Sequence, residues 1–419
     1  MVSKRLMGAA ALLLLAAGAA GAAGLTVKEQ LGKDIFFDNN LSINRNQSCA
    51  VCHAPEAGWT GPSPDINSHG AVYEGSIAGR FGNRKPPSSA YATTAPILKY
   101  IRQGGGMFVG GNFWDGRATG EKLGNPAADQ AQGPFLNPLE QALPDSACVV
   151  HRVCTATYGT AMDVVWPGSC AIAWPADADT SCATEGAFVN LDAPNRAKSN
   201  LAYDYIALAI AAYEGSTESN AFTSKYDAFL AGKAFLTPQE KMGLALFNGK
   251  GKCARCHVNT GKKPLFTDYT YDNLGVPRNV ENPFYQSTFN PLGAAWIDLG
   301  LGGFLESRID YSRFAKANLG KHKVPTLRNV DKKAAPDFVK AFGHNGYFKS
   351  LKEIVHFYNT RDVLPTCAPG SPGEKVTCWP LPELALTMNT AELGNLKLSD
   401  AEEDALVAFM KTLTDGYQP

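Results

Sequence analysis

Two short stretches constrain the fold of this chain more than any other feature. Residues 49–53 read Cys-Ala-Val-Cys-His, and residues 253–257 read Cys-Ala-Arg-Cys-His. This spacing attaches a c-type haem, because both sulfurs bond to the porphyrin vinyl groups and the adjacent imidazole binds the iron. One copy would also suit a thiol redox pair, but two copies about 200 residues apart predict two covalently bound haem c groups. The attachment residues are then Cys49, Cys52, His53, Cys253, Cys256 and His257.

The N-terminal residues indicate export. Residues 1–5 are basic, residues 9–17 are apolar, and residues 20–22 are small, so residues 1–24 are typical of a secretory signal peptide. No later apolar run is long enough to span a bilayer. Because haem c is attached outside the cytoplasm, we expect a periplasmic protein with its signal peptide cleaved. An uncleaved membrane anchor is the alternative.

Charge and length limit the partners and the architecture. The chain has 39 Lys and Arg residues against 39 Asp and Glu residues, so no net field favours nucleic acid or an acidic membrane surface. A local docking patch stays open. The 419 residues are enough for two domains with substantial cores. No long strand pattern occurs, so we expect a mainly α architecture.

Six cysteines lie outside the haem motifs and predict disulfides. In an oxidising compartment, an even number of cysteines in loops rich in Gly and Pro indicates a disulfide framework. Cys367 and Cys378 share one loop and form the favoured pair. The sequence leaves open how Cys148, Cys154, Cys170 and Cys182 pair. We expect residues 144–196 and 361–385 to be long loops stapled by these bridges.

A repeated pattern precedes each haem motif and indicates duplication. Residues 26–29 and 237–240 are both capping boxes, each of which opens an amphipathic helix. Matching positions in the two helices carry the same residue types: Glu29 and Glu240, Gly32 and Gly243, Phe36 and Phe247. The sequence therefore predicts an N-terminal haem domain at 25–220, a linker at 221–235 and a C-terminal haem domain at 236–419.

Each half is also expected to close with a helix. Residues 200–213 have an apolar stripe through Leu201, Tyr205, Leu208 and Ala212. Residues 399–402 form a third capping box, which opens a terminal helix with Leu406, Phe409 and Leu413 on one side. Such stripes are ordinary core faces and predict packing rather than chemistry.

Four further motifs resemble the bacterial di-haem cytochrome c peroxidase family, which includes MauG. In order, the motifs are FWDGRA at 113–118, GPFLNPLE at 133–140, VPTLRNV at 324–330 and HNG at 344–346. The resemblance covers most of the chain beyond residue 24, apart from the two long loops. It implies two tandem cytochrome c-like domains, with a peroxidatic haem in the first and an electron-transfer haem in the second.

The resemblance also implies catalytic roles. Glu140 ends the GPFLNPLE motif and corresponds to the carboxylate over the open face of the peroxidatic haem, where it would act as acid and base. Gln130 and Pro134 correspond to residues that line the same pocket. Trp114 corresponds to the tryptophan between the haems, which relays electrons. The plain alternatives are a surface glutamate for Glu140 and simple packing for Trp114.

The iron ligands follow in part from the same resemblance. His53 and His257 are the proximal ligands of the two haems. Tyr358 lies fourteen residues after His344, where MauG-type enzymes carry the second ligand of the C-terminal haem. His356 is the rival ligand, and plain core packing of Tyr358 is the other alternative. Met388 and Met410 would need a different chain path.

Two further sites stay open. His69 lies sixteen residues after His53, near the position of a mobile distal histidine in related peroxidases, but its surroundings look more like the MauG branch. It is therefore either a distal ligand or an exposed loop histidine. A calcium ion between the domains is in doubt, because Lys85 occupies the position of an asparagine ligand. Asn83 and backbone carbonyls are the remaining candidates.

The sequence therefore predicts a periplasmic di-haem peroxidase that reduces hydrogen peroxide with electrons from a small cytochrome or cupredoxin. The second hypothesis is a MauG-like enzyme that uses peroxide to oxidise a side chain, for example a Trp, of a partner protein. The third is a non-enzymatic electron carrier with both irons closed. No nucleic-acid partner is expected, and the sequence does not decide between a monomer and a homodimer.

Overall fold

The computed structural model describes residues 24–418, so the predicted signal peptide lies outside the described residues except for Gly24. This part of the chain is mainly helical, as expected. Its α helices are α1 (Val27–Phe36), α2 (Pro64–Ser68), α3 (Pro126–Leu136), α4 (Ser146–Thr155), α5 (Thr160–Val165), α6 (Ala178–Cys182), α7 (Ala193–Glu214), α8 (Lys225–Leu230), α9 (Pro238–Asn248), α10 (Gly300–Glu306), α11 (Leu351–Thr360) and α12 (Asp400–Lys411).

Strands are few and short in the described chain. β1 (Lys99–Ile101) pairs with β2 (Met107–Val109), and β3 (Tyr271–Asp272) pairs with β4 (His322–Lys323), both antiparallel. Within residues 24–418, no helix combines the length and the apolar character that crossing a membrane requires.

The three predicted capping boxes are present. Thr26, Thr237 and Ser399 each accept a hydrogen bond from the backbone N–H three residues on, and the glutamate at that position bonds back to the cap. Each cap satisfies backbone donors that the first helical turn leaves unpaired, which stabilises a helix by about 1 kcal/mol. Local sequence therefore sets where α1, α9 and α12 begin.

The two predicted repeat helices cross a later helix in the same way. α1 packs on α7, and α9 packs on α12. A Cβ atom added to Gly32 would lie 1.9 Å from the carbonyl oxygen of Ala209, and one added to Gly243 would lie 1.9 Å from that of Ala405. Only glycine allows backbones to approach this closely, so the repeated glycine marks an equivalent helix crossing in each half.

Gly243→Ala should lower the stability of the protein, because the new methyl group would overlap the backbone of α12. We expect a loss of about 1–3 kcal/mol, the usual cost of overfilling a packed interior. Thermal unfolding followed by circular dichroism measures it. Gly133→Ala is the matched control, since a Cβ at this glycine of α3 would be in ordinary contact with the Phe113 ring at 3.5 Å. Equal shifts for both variants would contradict the close crossing.

Three aromatic side chains pack together next to each haem motif. Phe36, Trp59 and Tyr213 meet edge to face with ring centroids 5.6–5.8 Å apart. Their counterparts are Phe247, Phe266 and Phe409, with centroids 5.2–6.3 Å apart. Each triad joins the repeat helix, the loop after the haem motif and the closing helix. The two motifs are therefore held in equivalent surroundings.

The disulfides are Cys148–Cys182, Cys154–Cys170 and Cys367–Cys378, so the favoured pair is confirmed. The expectation of a loop at 144–196 is wrong, because α4, α5 and α6 lie there. Val149, Val150 and Val153 of α4 are fully buried in the first core, which explains why the segment is helical. Residues 361–385 contain no helix or strand, as expected.

The segment expected to link the halves contains α8. Tyr226 of α8 packs in the second hydrophobic core, together with Phe247 and Phe409. The neighbouring Asp227 accepts hydrogen bonds at 3.0 and 2.7 Å from the buried guanidinium of Arg328 in the VPTLRNV motif. The Arg328 guanidinium is buried, so breaking this ion pair would leave an unpaired buried charge. The pair therefore holds residues 221–235 against the C-terminal half.

Candidate active site

The first haem motif lines a cavity of about 1030 Å³, called here the first cavity. A short 3-10 helix at Cys49–Val51 brings both thiols and His53 to its wall. The His53 Nδ1 atom lies 3.3 Å from the carbonyl oxygen of Trp59. This contact turns the ring, and burial lowers its pKa to about 4. At neutral pH the imidazole is therefore neutral, the form that binds iron.

Glu140, Gln130 and Pro134 line the same first cavity. The turn after α3 positions Glu140, because its N–H donates to the Asn137 carbonyl at 2.9 Å and Asn137 Nδ2 donates to its carboxylate at 2.9 Å. Burial raises the pKa of Glu140, while Arg117 and the Asn137 bond pull it down. Glu140 thus lines the same cavity as His53, the predicted proximal ligand.

The structure adds Glu214, a residue that the sequence analysis missed. It ends α7, is 3% exposed, and lines the first cavity beside His53. Burial raises its pKa to about 8, so this carboxyl group is neutral at pH 7. Its Oε2 atom has no hydrogen-bond partner among the described residues. One sequence feature could have revealed it: Glu214 follows Tyr213 on the apolar face of a helix that was expected to pack in the core.

His69 does not lie in the first cavity. It follows α2, its side chain is 63% exposed, and its Nδ1 contacts the carbonyl of Asp65 at 2.9 Å and the hydroxyl of Ser68 at 3.1 Å. The structure therefore does not bring the proposed distal histidine to His53.

The second haem motif lines a larger cavity of about 1830 Å³, called here the second cavity. His257 Nδ1 lies 2.9 Å from the carbonyl oxygen of Phe266, the counterpart of the contact between His53 and Trp59. Burial lowers the pKa of His257 as well. Trp59 and Phe266 both have a positive φ, 63° and 53°, which turns each carbonyl back towards its histidine. Both proximal rings are therefore oriented in the same way.

Tyr358 of α11 lines the second cavity together with Cys253, Cys256 and His257. Burial raises the pKa of Tyr358, and the charges of the neighbouring thiols add to the effect. The phenol therefore holds its proton unless a cation such as iron displaces it. Met410 lines the cavity too, whereas Met388 does not.

His356 does not line the second cavity. Its Nδ1 atom lies 3.0 Å from a Glu403 carboxylate oxygen, and its Nε2 atom lies 3.1 Å from the Val376 carbonyl oxygen. Two residues apart on a helix point to nearly opposite sides, so His356 and Tyr358 occupy different environments. Both nitrogens of His356 already have partners.

Trp114 lies in the wall that the two cavities share, because it lines both. Its indole Nε1 donates to the carbonyl of Lys85 at 2.8 Å, and its own carbonyl accepts from the N–H of Lys323 at 2.8 Å. The next residue, Asp115, is bound by Arg84 and Arg117 at 2.6 and 2.8 Å. The ring is therefore fixed at the boundary between the two motifs.

The position in doubt for calcium carries a buried ammonium group. Lys85 Nζ donates to the Thr60 hydroxyl at 2.9 Å and to the Pro86 carbonyl at 2.8 Å. The Asn83 carbonyl accepts from Asn282 Nδ2 at 3.0 Å. This donor arrangement suits an anion rather than a cation.

Each large cavity fits haem c in its donor set. Two thiols that form no disulfide and a neutral imidazole, oriented by a backbone carbonyl, line the cavity in each half. Those are the groups that covalent attachment and axial ligation require.

Comparison with known proteins agrees with this arrangement. A family model described as di-haem cytochrome c peroxidase matches residues 26–234. The methylamine utilization protein MauG of Paracoccus denitrificans (strain Pd 1222) is 34% identical over 396 residues, which cover 93% of this chain and 89% of that protein. The cytochrome-c peroxidase IdrP2 of Denitromonas iodatirespirans is 27% identical over 393 residues, covering 92% and 81%.

A solved structure shows the same fold. The crystal structure of the diheme peroxidase BthA from Burkholderia thailandensis E264 superposes with a TM-score of 0.71 at 28% identity, covering 95% of this chain and 88% of that one. The sequence similarity to MauG and the structural similarity to BthA point to the same protein family as the motifs and cavities do. This chain belongs to the di-haem cytochrome c peroxidase family that includes MauG, and it is an oxidoreductase of the peroxidase type.

Proposed function

We propose that this chain is a periplasmic di-haem peroxidase with haem c attached at both motifs. The main observation behind this proposal is a difference between the two cavities. Glu140 and His53 line the first cavity, whereas Tyr358 and His257 line the second. The N-terminal domain, 25–220, is the peroxidatic one. The C-terminal domain, 236–419, receives or stores charge, and residues 221–235 join them.

Haem c bound at the two motifs would supply one iron that reacts with hydrogen peroxide and a second that exchanges electrons. Glu140 takes a proton from one peroxide oxygen and returns it to the oxygen that leaves as water. Burial raises the pKa of Glu140, which makes the protonated form easier to reach and suits a group that both takes and returns a proton. Reduction of one peroxide to two waters consumes two electrons and two protons, and the electrons come from the second domain.

Trp114 is the relay between the two domains in this proposal. Its ring lines both cavities and is held by the Lys85 carbonyl, so no rearrangement is needed to bring it between the sites. Gln130 and Pro134 shape the peroxide pocket around Glu140. His69, with its exposed side chain, leaves the peroxide side of the first cavity free. The donor is a small periplasmic cytochrome or cupredoxin.

Tyr358 favours a second candidate function. A phenolate ligand lowers the potential of a haem and stabilises its oxidised states, which suits an enzyme that accumulates oxidising equivalents. The chain, which is 34% identical to the methylamine utilization protein MauG, would then use peroxide to oxidise a side chain of a partner protein. The carboxylate chemistry at Glu140 is common to both functions.

One experiment separates these functions. Hydrogen peroxide is added to the fully oxidised protein and the haem spectrum is followed. If the oxidised species formed by peroxide decays rapidly when a reduced small cytochrome is added, peroxide reduction is supported. If a species with both haems oxidised persists, oxidation of a protein substrate is supported. Two low-spin, six-coordinate haems that ignore peroxide would overturn both and leave an electron carrier.

A further inference from the structure

Three lysines around the cavities differ in how their ammonium groups are satisfied: Lys85 and Lys340 are buried, and Lys323 is half-buried. An ammonium group has three N–H donors. Lys340 Nζ donates to three backbone carbonyls, at 2.9, 2.8 and 3.0 Å. Lys85 has two acceptors, and so does Lys323, whose Nζ bonds to the Gly111 carbonyl at 2.8 Å and the Asn112 side chain at 2.6 Å. One donor each on Lys85 and Lys323 is therefore left over.

Neither of these two ammonium groups has a counter-ion within residues 24–418. No carboxylate oxygen lies within 4.0 Å of either Nζ, and burial alone lowers the pKa of both to about 7. The buried cation Arg84, by contrast, is paired with Asp115 and Asp298 at 2.6 Å. An enclosed ammonium group without a counter-ion is costly, so the surroundings of Lys85 and Lys323 favour the binding of an anion.

Their position indicates where that anion comes from. Lys85 lines both the first and the second cavity. Lys323 lines the second cavity and a smaller one that also contains His53. Both are hydrogen-bonded through the backbone to Trp114, in the shared wall. An anionic group bound in these cavities would therefore lie within reach of both lysines.

We propose that Lys85 and Lys323 bind haem propionates. Each haem carries two carboxylates besides its iron, so the group expected in the cavities supplies the missing charge. The unused donor of each lysine binds a carboxylate oxygen in a charge-assisted hydrogen bond. This inference rests on haem attachment in the proposed function and adds the residues that hold its acidic edge.

Lys85→Met and Lys323→Met test the assignment in the mature protein with both haems attached. A cation near a haem favours the reduced state, so each variant should lower the reduction potential of at least one haem, and the double variant should lower it further. Spectroelectrochemical titration measures the potentials. The propionate bending bands in the resonance Raman spectrum should shift as well, which a merely structural role would not produce.

Lys349→Met is the matched control. Lys349 is also largely buried and donates to three backbone carbonyls, but it lines neither large cavity. Its removal should leave potentials and propionate bands unchanged. Equal shifts in all three variants, or no shift at Lys85 and Lys323, would overturn the proposal. If the Met variants do not mature, Lys85→Gln and Lys323→Gln keep a hydrogen-bond donor without the charge and should also lower the potential.

The haem content of the unaltered protein separates this inference from the proposed function. If the purified chain carries no covalent haem, the proposed function fails. If it carries two haems and consumes peroxide, but the lysine variants match it in potential and Raman spectrum, only the propionate assignment fails.

Discussion

Glu140→Gln should slow the reaction of the oxidised protein with hydrogen peroxide by about 10²–10⁴-fold, the usual contribution of a positioned acid–base group. The amide keeps the size of the side chain, but it neither accepts a proton nor returns one. Stopped-flow mixing with peroxide in a single turnover measures the rate. Glu185→Gln is a control, since that carboxylate lies on the surface in an ion pair with Arg80 at 2.6 Å. Unchanged kinetics in Glu140→Gln would remove Glu140 from the mechanism.

The same reaction should depend on pH in a defined direction. Glu140 acts as a base in its deprotonated form, and burial raises its pKa above the usual value of 4.5. The rate should therefore be full above the raised pKa and fall as the pH drops through it. In Glu140→Gln this inflection should disappear. An inflection that survives in the variant would belong to another group.

Tyr358→Met should raise the reduction potential of the C-terminal haem, the second large effect. A phenolate stabilises the oxidised iron, whereas a thioether stabilises the reduced iron, and axial ligands span about 0.8 V in proteins. We expect a rise of roughly a few tenths of a volt, within that span. A spectroelectrochemical titration of both haems measures it, and the N-terminal haem serves as the internal reference.

His356→Gln is the matched control for this change. His356 lies on the same helix, but it bonds to Glu403 and to the Val376 carbonyl and does not line the second cavity. Its loss should leave the spectrum of the C-terminal haem as it is. An unaltered potential and spectrum in Tyr358→Met would mean that another residue holds the iron.

The sequence predicted where helices begin better than it predicted which side of a helix is buried. The capping boxes at Thr26 and Thr237 are side-chain chemistry within four residues, so the sequence reveals them directly. The stripe predicted for α7 is wrong, since Leu201 is 50% exposed. The buried face instead runs through Ala202, Ile206, Ala209 and Tyr213. α7 packs on α1, α3 and α4 at once, and close crossings favour alanine over leucine, which hydrophobicity alone does not reveal.

Within the site, the haem motifs and the resemblance located Glu140, Gln130, Pro134 and Trp114, all of which line cavities near the motifs. Glu214 and Lys323 were missed. Charged residues are ordinarily exposed, and only the folded chain shows that these two are enclosed. The prediction of a loop at 144–196 is wrong because four cysteines there suggest a disulfide-stapled loop, whereas the apolar residues of α4 are buried in the core and stabilise a helix.

The carbonyls of Trp59 and Phe266 have a chemical consequence for both irons. Each accepts the Nδ1 proton of a histidine proposed to bind haem iron, so both rings would bind as neutral imidazoles, without the extra basicity that a carboxylate acceptor would give. The two histidines would then donate electrons to their irons to a similar degree. A difference in reactivity between the two irons would come from other groups, such as Glu140 in the first cavity and Tyr358 in the second.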